Sequence, residues 1–302
     1  MIEIKNVYKN YGKVEAVKDL SFSLERGEIF GLLGPNGAGK STTIRMIMNI
    51  IRPDSGEILL DGSDICGNDT DRIGYMPEER GLYKKVPVDE LLVFLAELKG
   101  SSVSDAKAAM DPLLERFDLS GWKKSKTDSL SKGMSQKIQF ISTILHDPDI
   151  IILDEPFSGL DPVSADQMCG VIAELRDMGK TIIFSTHIMD HAERICNKIC
   201  IMKEGRVKTA GTLSEVKNMH GRNTVAIDFE GSAAFIRELP MVSRMIEWPG
   251  SCEVSLTDDP DAGSQLLKAA AEKLKISRFE LQRPSLHKIF IDLAGEKEAA
   301  GA

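Results

Sequence analysis

The sequence predicts an α/β core followed by a small α+β domain, and three observations carry that reading. A glycine-rich turn stands between the apolar run Ile29-Phe30-Gly31-Leu32-Leu33, which reads as a buried strand, and the stretch Ile44 to Ile51, which reads as a buried helix. Two further runs, Ile150-Ile151-Ile152-Leu153 and Thr181-Ile182-Ile183-Phe184-Ser185, have the continuous apolar character of strands covered on both faces of a parallel sheet. Past the turn-like Met219-His220-Gly221-Arg222-Asn223, the chain resumes with shorter alternating strands and helices. The expected division is therefore 1–220 and 221–302, with about 80 residues in the second part.

The turn Gly34-Pro35-Asn36-Gly37-Ala38-Gly39-Lys40-Ser41-Thr42 satisfies G-x-x-x-x-G-K-[ST]. Glycines let successive N–H groups point at phosphate oxygens, and the helix that follows offers its positive end. In that frame Lys40 neutralises the β- and γ-phosphates and the Ser41 hydroxyl ligates magnesium. Strand before and helix after make a chance match a poor explanation, so a nucleoside triphosphate is expected here.

In chain order, residues 2–24 read as a small antiparallel sheet with a turn at Asn10-Tyr11-Gly12. Tyr11 could stack on an adenine ring or be an ordinary strand tyrosine, and spacing alone favours the latter. Glu57 to Leu60 reads as a strand, Asp61-Gly62 as a hairpin turn, and Ile73-Gly74-Tyr75-Met76-Pro77 as a short strand stopped by its proline. The loop Glu78-Glu79-Arg80-Gly81-Leu82-Tyr83-Lys84-Lys85 follows, with a small apolar centre and a charged rim. Helical periodicity then runs over Val88–Leu98 and Ala106–Phe117, and a third helix follows Leu130-Ser131-Lys132-Gly133-Met134, giving a helical insert over about residues 86–147. Ser131 reads as the cap of that third helix, whose positive end is ordinary packing or an anion contact.

The run at 150–153 delivers Asp154 and Glu155 to the end of its strand, where open α/β sheets bind ligands. Asp154 is placed to hold magnesium, and Glu155 to polarise an attacking water. Asp161-Pro162 starts a helix that Gly179 ends, and the strand from Thr181 brings Thr186 and His187 to the same sheet edge. Ile199–Lys203 and Arg206–Thr209 read as strands about the turn Glu204-Gly205, with a closing helix. In the second part, strands are expected at 225–229, 242–247, 252–256 and 276–282, and helices at 232–239, 262–275 and 285–294. That part carries no catalytic constellation.

Composition bounds the partners. Of 302 residues, 42% are hydrophobic, which is ample for a core. From residue 221 onward there are 10 Lys+Arg against 13 Asp+Glu; subtraction from 38 and 46 leaves 28 against 33 upstream, so neither part is basic and no nucleic-acid partner is expected. Cys66, Cys169, Cys196, Cys200 and Cys252 form no C-x-x-C pair, which argues against a disulfide framework or a zinc site; Cys196 and Cys200 read as small buried apolar residues, and a reducing cytoplasm fits. The N-terminal residues show no secretory h-region, and no stretch approaches the ~20 apolar residues of a membrane span, so membrane work would fall to a partner.

Taken together and in this order, these residues resemble the ATP-binding subunit of an ABC transporter over about residues 2–220. The resemblance places Tyr11 at the adenine-stacking aromatic, 34–42 at Walker A, Ser131 and Gly133 in the signature, Asp154 and Glu155 at Walker B, Ser158-Gly159-Leu160-Asp161 at the D-loop and His187 at the switch histidine. Two positions depart from the common pattern: the signature reads Leu-Ser-Lys-Gly-Met rather than LSGGQ, and Glu78 replaces the usual glutamine. With the ending Arg283-Pro284-Ser285-Leu286-His287-Lys288-Ile289-Phe290, these departures resemble the bacterial and archaeal drug- and sodium-efflux branch, whose ATPases pair with separate membrane subunits of the ABC-2 type.

The resemblance implies ATP and Mg2+ as ligands, with Glu78 within reach of the metal or the water. It also implies a head-to-tail pair of ATPase subunits in which each nucleotide meets Ser131 and Gly133 of the other chain, and a place on the inner face of the cell membrane. A soluble ABC-type ATPase of translation or DNA repair is the alternative, but those types carry two cassettes or a long coiled coil, and this chain carries neither. A module that binds ATP without turnover is disfavoured by the intact Lys40, Asp154, Glu155 and His187.

Overall fold

A computed structural model describes residues 1–65, 67–79, 81–220, 224–257, 259–282 and 284–295. Cys66, Arg80, Gly221 to Asn223 and Arg283, each part of an expectation above, lie outside them. The chain forms two compact units, Met1–Leu213 and one that begins at Ser214, so the division falls a few residues before the boundary read from the sequence.

In the first unit β1 (Ile2–Tyr11) and β2 (Val14–Leu24) pair antiparallel, with Ile2, Ile4, Val7, Val17, Leu20 and Leu24 turned inward. β3 (Ile29–Leu33) leads into α1 (Lys40–Ile47). β4 (Ser55–Leu60) pairs antiparallel with β1 and turns into the short β5 (Ser63–Asp64) through Asp61 and Gly62, both at positive φ. That is the backbone a tight two-residue hairpin requires. These strands make a four-stranded sheet in the order β2-β1-β4-β5.

The second sheet is built by β6 (Ile73–Met76), β7 (Ile150–Asp154), β8 (Thr181–Thr186), β9 (Lys198–Lys203) and β10 (Arg206–Thr212) around β3, in the order β10-β9-β3-β8-β7-β6. Only the edge strand β10 runs antiparallel to its neighbour. Every residue of β3, β7 and β8 is buried, as unbroken apolar runs demand. One core serves both sheets: Val7, Val17 and Leu20 join Phe30, Leu32, Ile44, Ile47, Ile152 and Ile183, and Phe22 stacks on Phe30 at 4.5 Å.

The helical insert holds α2 (Val88–Leu98), α3 (Val103–Arg116) and α4 (Lys132–Ile144). α3 starts earlier than its apolar pattern because Ser102 accepts from the Asp105 N–H at 3.1 Å and caps an extra turn. Ser131 caps α4 by accepting from Met134 N–H at 3.2 Å. α5 (Pro162–Asp177) is capped by Asp161, which accepts from Ser164 N–H at 2.9 Å. α6 (Met189–Ile195) was not read from the sequence: at two turns, with only Met189, Ala192 and Ile195 buried, it is too short to show a period.

The second unit opens with α7 (Leu213–Met219), which begins at the last residue of the first. β11 (Thr224–Glu230), β12 (Val242–Trp248), β13 (Ser251–Leu256) and β14 (Lys275–Gln282) form an antiparallel sheet in the order β12-β13-β11-β14. α8 (Ala262–Lys273) closes a separate core on Val225, Ile227, Phe229 and Val254 through Leu266 and Ala270, and α9 (Leu286–Gly295) follows β14. The helix expected at 232–239 is only a 3-10 segment, Ala234–Glu238. Pro240 keeps Leu239 out of the helical region, which leaves too few residues for a stable α-turn run. Among the described residues no helix is long and apolar enough to cross a membrane.

Cys169, Cys196, Cys200 and Cys252 are buried free thiols, and burial pushes Cys200 up to about 12. His146, in the turn between α4 and β7, has both ring nitrogens buried without a hydrogen-bond partner. Burial, helped by Lys99, lowers its pKa from 6.5 to about 4. The folded state therefore holds a neutral ring that the unfolded chain would protonate, so this contribution is present above pH 6.5 and is lost as pH falls toward 4. Urea unfolding from pH 7 to 4 should show a shallower loss of stability in His146→Leu than in the wild type; parallel curves would refute the assignment.

Candidate functional site

The parallel register brings three strand ends to one edge, pairing Leu33 with Thr186 and Asp154 with Ser185. The loop leaving β3 turns through Gly34 (φ 152), Gly37 (φ 79) and Gly39 (φ 101). A Cβ on Gly34 would meet the Met202 carbonyl oxygen at 2.3 Å, and one on Gly39 would meet that of Ala16 at 2.5 Å. Glycine is thus required by both conformation and space. Lys40, buried at 6% exposure, donates from Nζ to the carbonyls of Gly34 at 2.8 Å and Pro35 at 3.2 Å.

Across the cleft, Lys40 Nζ lies 3.6 Å from Glu155 Oε1, an ion pair with both members buried. Glu155 takes φ 50, a left-handed conformation costing a non-glycine residue roughly 1–2 kcal/mol. His187 Nδ1 sits 3.0 Å from each Glu155 carboxylate oxygen. Asp154 is buried behind this pair, its Oδ1 accepting a hydrogen bond from Ser185 Oγ.

A cleft of about 720 Å³ collects Tyr11, Asn36 through Thr42, Glu78 and Glu155 on one surface. Tyr11, 47% exposed, forms part of the cleft wall. Val14, which the sequence did not single out, is 63% exposed and extends the apolar wall beside it. Gly34 and Pro35 stand behind the loop as acceptors for Lys40. Ser131 and Gly133 do not line the cleft: they form the N-terminal turn of α4, with Ser131 exposed.

Two further residues were missed. Gln136 Nε2 donates to the carbonyl oxygens of Glu155 at 3.3 Å and Pro156 at 2.9 Å, and Gln139 Nε2 donates to that of Pro77 at 2.9 Å. Their one legible signal is a pair of amides three residues apart among Ile138, Phe140, Ile141 and Ile144 on the buried side of the helix.

A triphosphate-sized cleft, a glycine loop at a helix N-terminus, a buried lysine and a carboxylate held by a histidine define a nucleotide-hydrolysing α/β protein. The ABC transporter family matches residues 17–158, and the C-terminal domain of DrrA1-3-like ATP-binding proteins matches residues 211–294. The chain is 38% identical to the ABC transporter ATP-binding protein YhaQ of Bacillus subtilis, over 98% of this chain and 99% of that one. It is 33% identical to the linearmycin resistance ATP-binding protein LnrL of the same organism, over 98% of each. A solved ATP-binding subunit of an ABC transporter superposes with TM-score 0.69 at 35% identity, covering 73% of this chain and 93% of that one. This chain belongs to the ATP-binding proteins of ABC transporters: it is an ATPase whose hydrolysis is coupled to transport.

Gly34→Ala should lower ATP affinity at least about tenfold, because the Cβ forces the loop off the Met202 carbonyl. Gly37→Ala has nothing within 4 Å to meet and should lose much less. Fluorescent-nucleotide titration checks the order; equal affinities would show that the loop is not held as described.

Proposed function

We propose that this chain is the cytoplasmic, membrane-peripheral ATPase of an exporter, with Glu155 as the base that activates water and His187 as the residue that orients it. The observation that carries this is the approach of His187 Nδ1 to both Glu155 oxygens, 3.0 Å each, beside buried Lys40. In hydrolysis, water attacks the γ-phosphorus, the bond to the β-bridging oxygen breaks, and Glu155 accepts the proton. The loop N–H groups and Lys40 take up the charge of the leaving ADP. Tyr11 serves the adenine.

The residues present suit magnesium: the Ser41 hydroxyl, the Asp154 carboxylate and the cleft-lining Glu78 are hard oxygen donors, and this ion takes one or two protein ligands plus phosphates and water. When bound it would neutralise the β- and γ-oxygens. Ser131 and Gly133, set apart from their own chain's cleft at a capped helix start, suit a second subunit's nucleotide. This supports a head-to-tail pair, a homodimer in the simplest case.

The membrane partner we assign is a separate ABC-2-type permease, reached through the loop Glu78–Lys85. Leu82 lines a cavity of about 190 Å³ with Gly81, Leu95 and His146, and the exposed Tyr83 packs edge-on against Phe94 at 6.2 Å. With Tyr75 and Pro77 also on its wall, this cavity suits a small, mainly apolar partner side chain. The similarity to LnrL favours drug-like cargo. The second unit, whose described residues hold no catalytic cluster, is assigned to assembly or regulation.

Glu155→Gln should keep ATP binding, lose turnover by about 100-fold or more and accumulate an ATP-bound dimer, whereas Lys40→Ala should lose ATP affinity. Wild-type turnover in Glu155→Gln would falsify the base. For coupling, Leu82→Asp with Tyr83→Asp should leave the isolated subunit's ATP binding near normal while copurification with the permease falls and export stops. Normal export by that double variant would place the coupling surface elsewhere.

A further inference from the structure

We propose that Gln136 and Ser185 are positioning residues for Glu155, gripping its peptide from both sides so that its carboxylate stays at the nucleotide. The observation is a two-sided hold on one left-handed residue. Ser185, fully buried on β8, accepts from the Glu155 N–H at 3.1 Å and donates to Asp154 Oδ1. Gln136, 1% exposed on α4, donates to the carbonyl of Glu155 at 3.3 Å and to that of Pro156 at 2.9 Å. Both neighbours of its amide nitrogen are carbonyl oxygens, so the orientation of the amide is set by chemistry.

Glu155 alone among the charged residues of the cleft pairs a φ of 50 with near-complete burial. Left to its own preference it would return to a right-handed or extended backbone, and the side chain would swing off His187. Each clamp blocks that return at one peptide bond. The clamps come from different parts of the unit: Ser185 from the central sheet, Gln136 from the insert helix whose first turn carries Ser131 and Gly133. A shift of that first turn therefore reaches the Glu155 carbonyl through one side chain, while the N–H stays anchored to the sheet. This makes Gln136 the route by which contact at the start of α4 sets the aim of the carboxylate.

The proposal rests on Glu155 being the base, and the experiment separates the two ideas. Steady-state ATPase is measured on the full chain for Gln136→Met, which keeps the length and loses the donor, for Ser185→Ala and Ser185→Thr, and for each in a Glu155→Gln background. Expected are a kcat about tenfold lower for Gln136→Met and Ser185→Ala, a KM for ATP within about twofold, and recovery in Ser185→Thr, which keeps the hydroxyl. In the Glu155→Gln background neither change should lower the residual rate further, because both act through the group already removed. Wild-type kcat in Gln136→Met, a raised KM with kcat unchanged, or the same fold-loss in both backgrounds would overturn the clamp. If Glu155→Gln alone turns over normally, the base assignment fails and the clamp with it. If Glu155→Gln is inactive and Gln136→Met is not, only the clamp is wrong.

Discussion

The register of β3 against β8 and of β8 against β7 is the constraint on which the site depends. It sets Leu33 beside Thr186 and Asp154 beside Ser185, so that Lys40, Glu155 and His187, far apart in sequence, open onto one edge. These strands are buried on both faces, and a one-residue slip would exchange one apolar face for another. Apolar patterning therefore cannot choose the register. The polar ends do: Thr181 N–H donates to Asp149 oxygen at 3.0 Å, Ile182 N–H to Glu28 oxygen at 2.9 Å, and Asn197 Oδ1 accepts from Ile29 N–H at 2.9 Å. A slip would break these pairings and strand the buried N–H groups of Ile29, Thr181 and Ile182, at about 1–3 kcal/mol for each left unpaired.

At the edge so defined, the local structure runs against its own preferences. Glu155 is left-handed without being glycine, and the Lys40–Glu155 pair is buried where desolvation opposes both charges. Each group is then over-determined by neighbours: Lys40 by two carbonyls, Glu155 by His187, Gln136 and Ser185. Those contacts satisfy the buried groups and leave the carboxylate and ammonium on the wall of the cleft. The cost is borne by the core that Phe30, Ile44 and Ile183 share with the antiparallel sheet.

What was legible in the sequence was whatever short-range chemistry dictates. The buried strands, the caps at Ser131 and Asp161, the Asp61-Gly62 turn and the phosphate loop each follow from a few adjacent residues. The strand ends also placed Asp154, Glu155 and His187 on one edge before any distance was known. Hidden were features that only tertiary neighbours create. Nothing in a helical period says that Gln136 reaches a strand end 19 residues on, or that Val14 stays exposed beside Tyr11. α6 is too brief to show a period, and the apolar spacing over 232–239 points to an α-helix that Pro240 cuts to a 3-10 segment.

The second unit shows how a buried charge differs from a working one. Lys288 is 7% exposed, an arrangement that elsewhere in this chain marks the site. Its ammonium, however, meets Thr224 Oγ1 at 3.2 Å, Glu253 Oε1 at 3.2 Å and Ser255 Oγ. Two hydroxyl hydrogen bonds and one ion pair, all to the neighbouring strands β11 and β13, hold it in place. Lys40 differs in that its partners are backbone carbonyls of a loop and a carboxylate on the wall of a large open cleft, where phosphate oxygens can compete for the same donors. Side chains of two strands tie Lys288 to the sheet beneath α9, whereas Lys40 stands on the wall of an open cleft among loop carbonyls.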